Sequence, residues 1–313
     1  MATADTFILD TRDGVPVTVH RWVPDGDVRA VVHIAHGMCE HARRYARFAA
    51  ALNDVGIAVY AEDHRGHGLT APIEDDLGFF AASRGWATVL DDLHRVTLRI
   101  RSEQPDRPVF LLGHSMGSFL AQQYLFTFPG EIDGLILSGS NGPIGPLGEV
   151  AATLARAERA RLGPRGRSEL LENVVFRDYN KAFEPRRTDR DWLSRDEAEV
   201  DAYIADPLSG WVATTQFYVD LFAGLRVIGQ PERVRAGAPK QLPVHLFCGS
   251  EDPVGGAAGQ ARLAALYDAA GLTQVESRVY EGGRHEMLNE TNRDEVTTDL
   301  IAWLERRLQH PAT

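Results

Sequence analysis

A chain of 313 residues, 44% hydrophobic and 25% charged, has the composition of a globular protein with a sizeable core, built as one large α/β domain or two small ones. Its formal net charge of -11 argues against nucleic acid as a partner, because phosphates repel an acidic chain. Two cysteines, Cys39 and Cys248, give no disulfide framework and read as buried free thiols.

Residues 1–20 include Asp5, Asp10, Arg12 and Asp13 with no continuous apolar run, so no signal peptide is expected. No stretch approaches the roughly 18 apolar residues that span a bilayer, and a cytoplasmic location is the expectation. Phe7–Asp10 and Val15–Trp22 flank the turn dipeptide Asp13-Gly14 and predict an opening hairpin. Ala30–Ala35 is an apolar run broken only by His33, suited to a strand covered on both faces. It runs into His36-Gly37-Met38-Cys39-Glu40-His41. Tyr45, Phe48, Ala49 and Leu52 then recur at helical spacing, and Ile57–Ala61 is the next strand, emptying into a loop at Glu62–Gly68. Trp86, Val89, Leu90, Leu93, Val96 and Ile100 mark an amphipathic helix.

Val109–Leu112 reads as a short buried strand, followed at once by Gly113-His114-Ser115-Met116-Gly117 and a helical pattern at Phe119, Leu120, Gln123 and Tyr124. A G-x-S-x-G pentapeptide between a strand and a helix is the context in which the motif has mechanical meaning. The turn is so tight that side chains at its glycines would strike backbone, and the serine between them is forced out above the sheet. Strands at Ile132–Leu137, Val244–Cys248 and Val275–Tyr280 alternate with helices at Ala261–Ala270 and Val296–Leu308. The fold class is therefore α/β, with a mostly parallel central sheet and helices on both faces. Ligands in such sheets bind beyond the carboxyl ends of the strands, where the loops from His36, Asp63, Ser115, Ser138, Gly249 and Gly282 should converge.

The interval 141–237 breaks the alternation, with a helix near Val150–Arg161, a Gly/Pro/Arg-rich break at Gly163–Arg167, a polar, aromatic-studded run from Phe176 to Gly210, and a helix near Ala213–Val227. It reads as a helical cap between two parts of the core, 1–140 and 238–313. Arg156, Arg159, Arg161, Arg165 and Arg167 are its basic cluster, either a solvated helix face or a rim drawn to anionic lipid surfaces, which would give transient membrane contact. The aromatics of the cap are core packing, with a few available to line an acyl channel.

Hydroxyl nucleophilic catalysis needs a nucleophile, a base and an orienting acid, in the chain order Ser…Asp/Glu…His on this architecture. With Ser115 as nucleophile, three histidines remain downstream: His245 inside a strand, His310 in the tail, and His285 in a loop after a strand. His285 is the candidate base. Glu251 and Asp252 compete as the acid; Asp252, before Pro253 in a turn, is favoured, with Glu251 facing solvent. Met116 N–H, at the start of a helix, and Met38 N–H are the candidate oxyanion donors. His64-x-x-His67 lacks a third ligand nearby, so no metal and no cofactor is expected.

His36-Gly37 with Glu40-His41 and Arg44-Tyr45, Asp63-x-Arg65-Gly66-His67-Gly68, and Gly113–Gly117 together resemble the α/β-hydrolase superfamily. Within it they are similar to the monoacylglycerol lipase and lysophospholipase-like branch, also labelled serine aminopeptidase S33, from about Phe7 to Leu308. The resemblance implies Ser115, Asp252 and His285 as triad and Met38 and Met116 as oxyanion donors. It implies hydrolysis of carboxylic esters of monoacylglycerol or lysophospholipid type, so a small-molecule lipid ester is the expected partner. Three departures from the pattern are Thr70 for serine, Ser118 for a third glycine, and the bulky Met38. The last two predict a reshaped acyl pocket and favour the rival reading, a carboxylesterase for small non-lipid esters. An acyltransferase uses the same triad, and a ligand-binding module would have lost a triad member. Acyl length, head group and oligomeric state are not encoded in these motifs.

Overall fold

A computed structural model describes residues 4–309; His310 lies outside the described residues. Eight strands form one sheet: β1 (Ala4–Asp10), β2 (Pro16–Trp22), β3 (Ala30–Ala35), β4 (Ile57–Glu62), β5 (Val109–His114), β6 (Gly134–Ser138), β7 (Val244–Gly249) and β8 (Val275–Tyr280). Their order is β1-β2-β4-β3-β5-β6-β7-β8, with β1 and β2 antiparallel at one edge and parallel pairing from β4 through β8. The helices are α1 (Ala46–Asp54), α2 (Gly85–Glu103), α3 (Met116–Thr127), α4 (Gly145–Leu162), α5 (Glu169–Phe176), α6 (Glu197–Ala205), α7 (Thr215–Ile228), α8 (Pro231–Gly237), α9 (Gly256–Ala270) and α10 (Arg293–Gln309).

The central strands are buried along their whole length because both faces are covered, as their unbroken apolar runs require. Alternate residues go to opposite sides. Val32, Ile34, Phe110 and Leu112 pack against Phe48 and Leu52 of α1 and Trp303 and Leu304 of α10. Leu111 and Leu135 face Leu93 of α2, Leu120 of α3 and Leu263 of α9. His33, the polar break in β3, is satisfied on the α2 side: Nε2 lies 2.7 Å from Glu62 Oε2 and Nδ1 3.0 Å from Thr97 Oγ1.

Two of the elements that start away from expectation do so for a local reason. The strand expected at Ile132 begins at Gly134, because Asp133 turns its carboxylate to accept from Val109 N–H and Arg101. α9 begins at Gly256 rather than Ala261; its glycine-bearing first turns have weak intrinsic helix preference and hid the start.

Between β6 and β7 stand α4 to α8. α4 packs on α7, and α7 in turn packs on α2 and α3, with Phe217, Tyr218 and Leu221 entering the same apolar cluster as Trp86 and Leu90. Phe183, Trp192, Leu193, Val200 and Tyr203 form a separate small cluster. Four arginines of the basic run are spent on holding this insertion together and down. Arg159 bonds Gln216, and Arg161 pairs with Glu158. Arg165 bonds the Asp75 carbonyl, and Arg167 the carbonyls of Glu74 and Leu77.

Candidate active site

The nucleophile turn follows from close packing. A Cβ at Gly113 would lie 2.5 Å from the Gly117 carbonyl oxygen, and one at Gly117 would run into the Ala35 carbonyl. Only glycine lets α3 leave β5 so abruptly. Ser115 between them has φ 50° and ψ -119°, a strained backbone for a residue with a side chain, and its N–H is held by the Ser138 carbonyl at 2.9 Å. Ser115 is half-buried and lines a cavity of about 530 Å³ together with Met38, Met116 and His285.

Asp252 and His285, separated in sequence but carried by the loops after β7 and β8, meet here. His285 Nδ1 lies 2.9 Å from Asp252 Oδ1, and that oxygen also accepts from Val254 N–H at 2.9 Å. Asp252 Oδ2 is buried without a partner among the described residues. Burial pulls the His285 imidazolium down, but the Asp252 charge and hydrogen bond outweigh it and hold the pKa above the ordinary histidine value. The imidazole is thus disposed to accept a proton. The competing acid, Glu251, is exposed.

Met116 N–H opens the twelve-residue α3, and Met38 N–H sits in the loop after β3. Among the described residues neither donates to a protein acceptor, so both are open to a developing oxyanion. The loop that carries Met38 is braced by a buried charge network. Glu40 accepts from Gly37 N–H at 2.5 Å, from Tyr45 Oη–H at 2.9 Å and from Arg44 at 2.9 Å. Arg44 continues to both oxygens of Glu286, at 2.6 and 2.7 Å. Burial pushes both carboxyl groups up, yet the Arg44 charge between them prevails, and both stay ionised below the ordinary glutamate value. The loop carrying His285 and the loop carrying Met38 are therefore joined through one guanidinium. His114, buried within 4.7 Å of the His285 ring, is held neutral with its pKa pushed down to about 4 by burial and then by His285.

Residues 176–210, expected as a polar, aromatic-studded run, reach the site directly. His285 N–H and Glu286 N–H donate to the carbonyls of Trp192 and Leu193, at 3.3 and 2.8 Å. The Trp192 ring stands 5.1 Å from that of His285. Glu172 and Arg190, 3.7 Å apart, also line the cavity. Glu40 and Arg44 were visible in the sequence as part of the motif that carries the resemblance and by their i, i+4 spacing, without an assigned role, and Glu286 had no signal.

The departures resolve locally. Thr70 Oγ1 accepts from Thr18 N–H at 2.9 Å. Ser118 Oγ lies 2.6 Å from the Ser115 carbonyl and 2.7 Å from Ser140 Oγ and does not line the cavity, so the expected effect of its bulk on the acyl pocket is absent. Met38 does line it. The rings of His64 and His67 tilt against that of His36, with centroids 4.2 and 5.0 Å from it.

Known proteins resemble this chain along most of its length. A monoacylglycerol lipase of Mycolicibacterium smegmatis is 31% identical over 293 residues, 93% of each chain. A human monoglyceride lipase is 29% identical, covering 96% of this chain and 90% of its own. A carboxyl esterase from Bacillus coagulans, solved with glycerol, superposes with a TM-score of 0.90 at 26% identity, covering 98% of this chain and 99% of its own. The family described as serine aminopeptidase, S33, matches residues 26–292, and the chain belongs to this family of α/β-hydrolases.

Proposed function

We propose that the protein is a serine ester hydrolase acting on monoacylglycerols through an acyl-enzyme. Ser115 Oγ attacks the ester carbonyl while His285 Nε2 takes its proton, and Asp252 holds the imidazole tautomer and stabilises the imidazolium. The carbonyl oxygen becomes an oxyanion against Met38 and Met116 N–H. His285 returns the proton to the departing alcohol, then activates a water that releases the fatty acid and restores Ser115.

The carrying observation is the two-sided lining of the cavity. Ile144, Leu147, Ala151 and Leu154 of the α4 region face Leu221 and Phe222 of α7, an apolar channel for an acyl chain. Glu40, Glu286 and His114 provide hydrogen-bonding groups for a polyol. Glu40, Glu286 and Glu172 outnumber Arg190 as charged groups on that lining, so an uncharged alcohol is accepted more readily than a phosphate. The volume of about 530 Å³ falls within the roughly 300–1,000 Å³ common for small-molecule sites. Leu147, Val150 and Val174 are cavity residues that are 81%, 66% and 47% exposed, which supports a lipid-contacting lip at the mouth in place of the arginine rim. The relatives named lipases support the same reading, and among the described residues no helix is long and apolar enough to cross a membrane.

The test is a hydrolysis profile of p-nitrophenyl esters from short to long acyl chains beside monoacylglycerol and lysophosphatidylcholine, with Ser115→Ala as blank. Preference for monoacylglycerol is expected. Activity confined to the shortest esters would transfer the assignment to a small-ester carboxylesterase, the reading favoured by the bulk of Met38.

A further inference from the structure

Cys39, immediately after the oxyanion donor Met38, has φ 59°, a left-handed backbone that residues with side chains adopt only at a cost. Its neighbours on the other side are accounted for: Glu40 grips Gly37 N–H, which fixes the entry to Met38. The exit is held from the insertion. The Cys39 carbonyl accepts from Tyr203 Oη–H at 3.0 Å and from Gly210 N–H at 3.0 Å, and the Cys39 thiol donates to the Trp211 carbonyl at 3.1 Å. His41 Nε2, 2.6 Å from Asp206 Oδ2, pins the next turn of the same loop to the same segment. Tyr203 is buried, and its ring lies under the Arg44 guanidinium at 4.9 Å, so the hydroxyl has no freedom to point elsewhere.

We infer that Tyr203 is a positioning residue for the oxyanion hole. Its hydroxyl, with Gly210 N–H, holds Cys39 in the left-handed conformation that presents Met38 N–H to the cavity. The hole is complete only while the 203–211 segment rests on Cys39, so placement of the insertion and stabilisation of the oxyanion are one event. Cys39 is where the two are joined, because a side chain there makes the loop conformation dependent on outside support. A glycine at 39 would take the same φ unaided. This inference rests on the ester-hydrolase reading and on Met38 as donor.

The experiment is a double-mutant cycle in the full chain between Tyr203→Phe and Cys39→Gly, read as kcat and KM on a p-nitrophenyl ester. Loss of one supporting hydrogen bond should lower kcat roughly five-fold in the wild-type background. In the Cys39→Gly background the same change should cost less than two-fold, since the loop no longer needs the bond. Affinity for a trifluoromethyl ketone, which becomes an oxyanion on Ser115, should fall and recover in parallel with kcat. An unchanged kcat in Tyr203→Phe overturns the inference, as does a loss of equal size in both backgrounds, which would mark Tyr203 as a substrate contact or a packing residue. Fluorophosphonate labelling of the wild type at Ser115, absent from Ser115→Ala, tests the hydrolase reading separately, whichever way the cycle falls.

Discussion

Gly139 offers a way to disturb the candidate base without touching it. The residue follows β6 with φ 56°, and a Cβ built there would stand 2.8 Å from His285 Cε1 and 3.0 Å from His285 Nδ1. Ordinary van der Waals contact begins at 3.4 Å, so in Gly139→Ala the imidazole must retreat by about 0.6 Å. It cannot retreat without lengthening the 2.9 Å bond to Asp252 or swinging away from Ser115. Misplacement of a reacting group by about 1 Å costs on the order of 10²-fold, so kcat should fall by roughly 10- to 100-fold. KM should change little, because Gly139 does not line the cavity. The backbone adds a separate penalty of about 1–2 kcal/mol for alanine at positive φ. Gly14→Ala isolates that penalty: Gly14 has φ 80°, and a Cβ there would meet nothing within 4 Å. Steady-state kinetics beside urea unfolding should show Gly14→Ala destabilised with full kcat and Gly139→Ala destabilised and slow. A folded Gly139→Ala with kcat within three-fold of wild type would refute the placement of His285 as base.

Two further outcomes are expected. Ser115→Gly should be inactive yet more stable than Ser115→Ala by about 1 kcal/mol, because φ 50° with ψ -119° suits glycine alone; equal midpoints in urea would mean that the nucleophile turn stores no strain. His245, buried in β7 with both ring nitrogens unpartnered among the described residues, has its pKa pushed down to about 4 by burial. The unfolded chain, titrating near 6.5, therefore binds more protons between those values, and this residue's contribution to stability falls as pH drops from about 6.5 to 4. His245→Phe should remove on the order of 2 kcal/mol of that acid loss, and identical pH slopes for the two proteins in urea unfolding would sink the argument.

The sheet was legible because its central strands are buried on both faces. Ala30–Ala35, Val109–Leu112 and Val244–Cys248 announce themselves as short apolar runs, and the tight turn at Gly113–Gly117 is written in two glycines. The insertion was less legible for a physical reason. α6 buries only Val200 and Tyr203 and displays no stripe of apolar residues from which a helix is read, while α5, which carries one at Leu170, Leu171, Val174 and Val175, is only eight residues long. Their ends are fixed instead by caps, Ser168 and Asp196, whose side chains accept from Leu171 N–H and Ala198 N–H. The Glu40–Arg44–Glu286 network was illegible for another reason. Its second carboxylate comes from a loop 242 residues beyond Arg44, and no local pattern records a pairing across that distance.

That network bears on the chemistry as well as on the fold. Glu40 and Glu286 with Arg44 leave one net negative charge, and Asp252 adds another close to His285, while His114 contributes none because it is held neutral. A surplus of buried negative charge favours the imidazolium that His285 becomes when Ser115 attacks, and the elevated His285 pKa is the resting-state expression of the same field. The same surplus would work against the oxyanion were it not met by dipoles. Met116 N–H lies at the positive end of α3, and Met38 N–H is held in place by the bond from Gly37 N–H to Glu40. In the proposed mechanism Glu40 therefore acts on both partners of the charge separation, stabilising the cation through space and the anion through the backbone it orients. A positive residue in its place would serve the oxyanion and penalise the imidazolium. On this geometry the carboxylate suits both, and the neutrality of His114 keeps that balance from being cancelled.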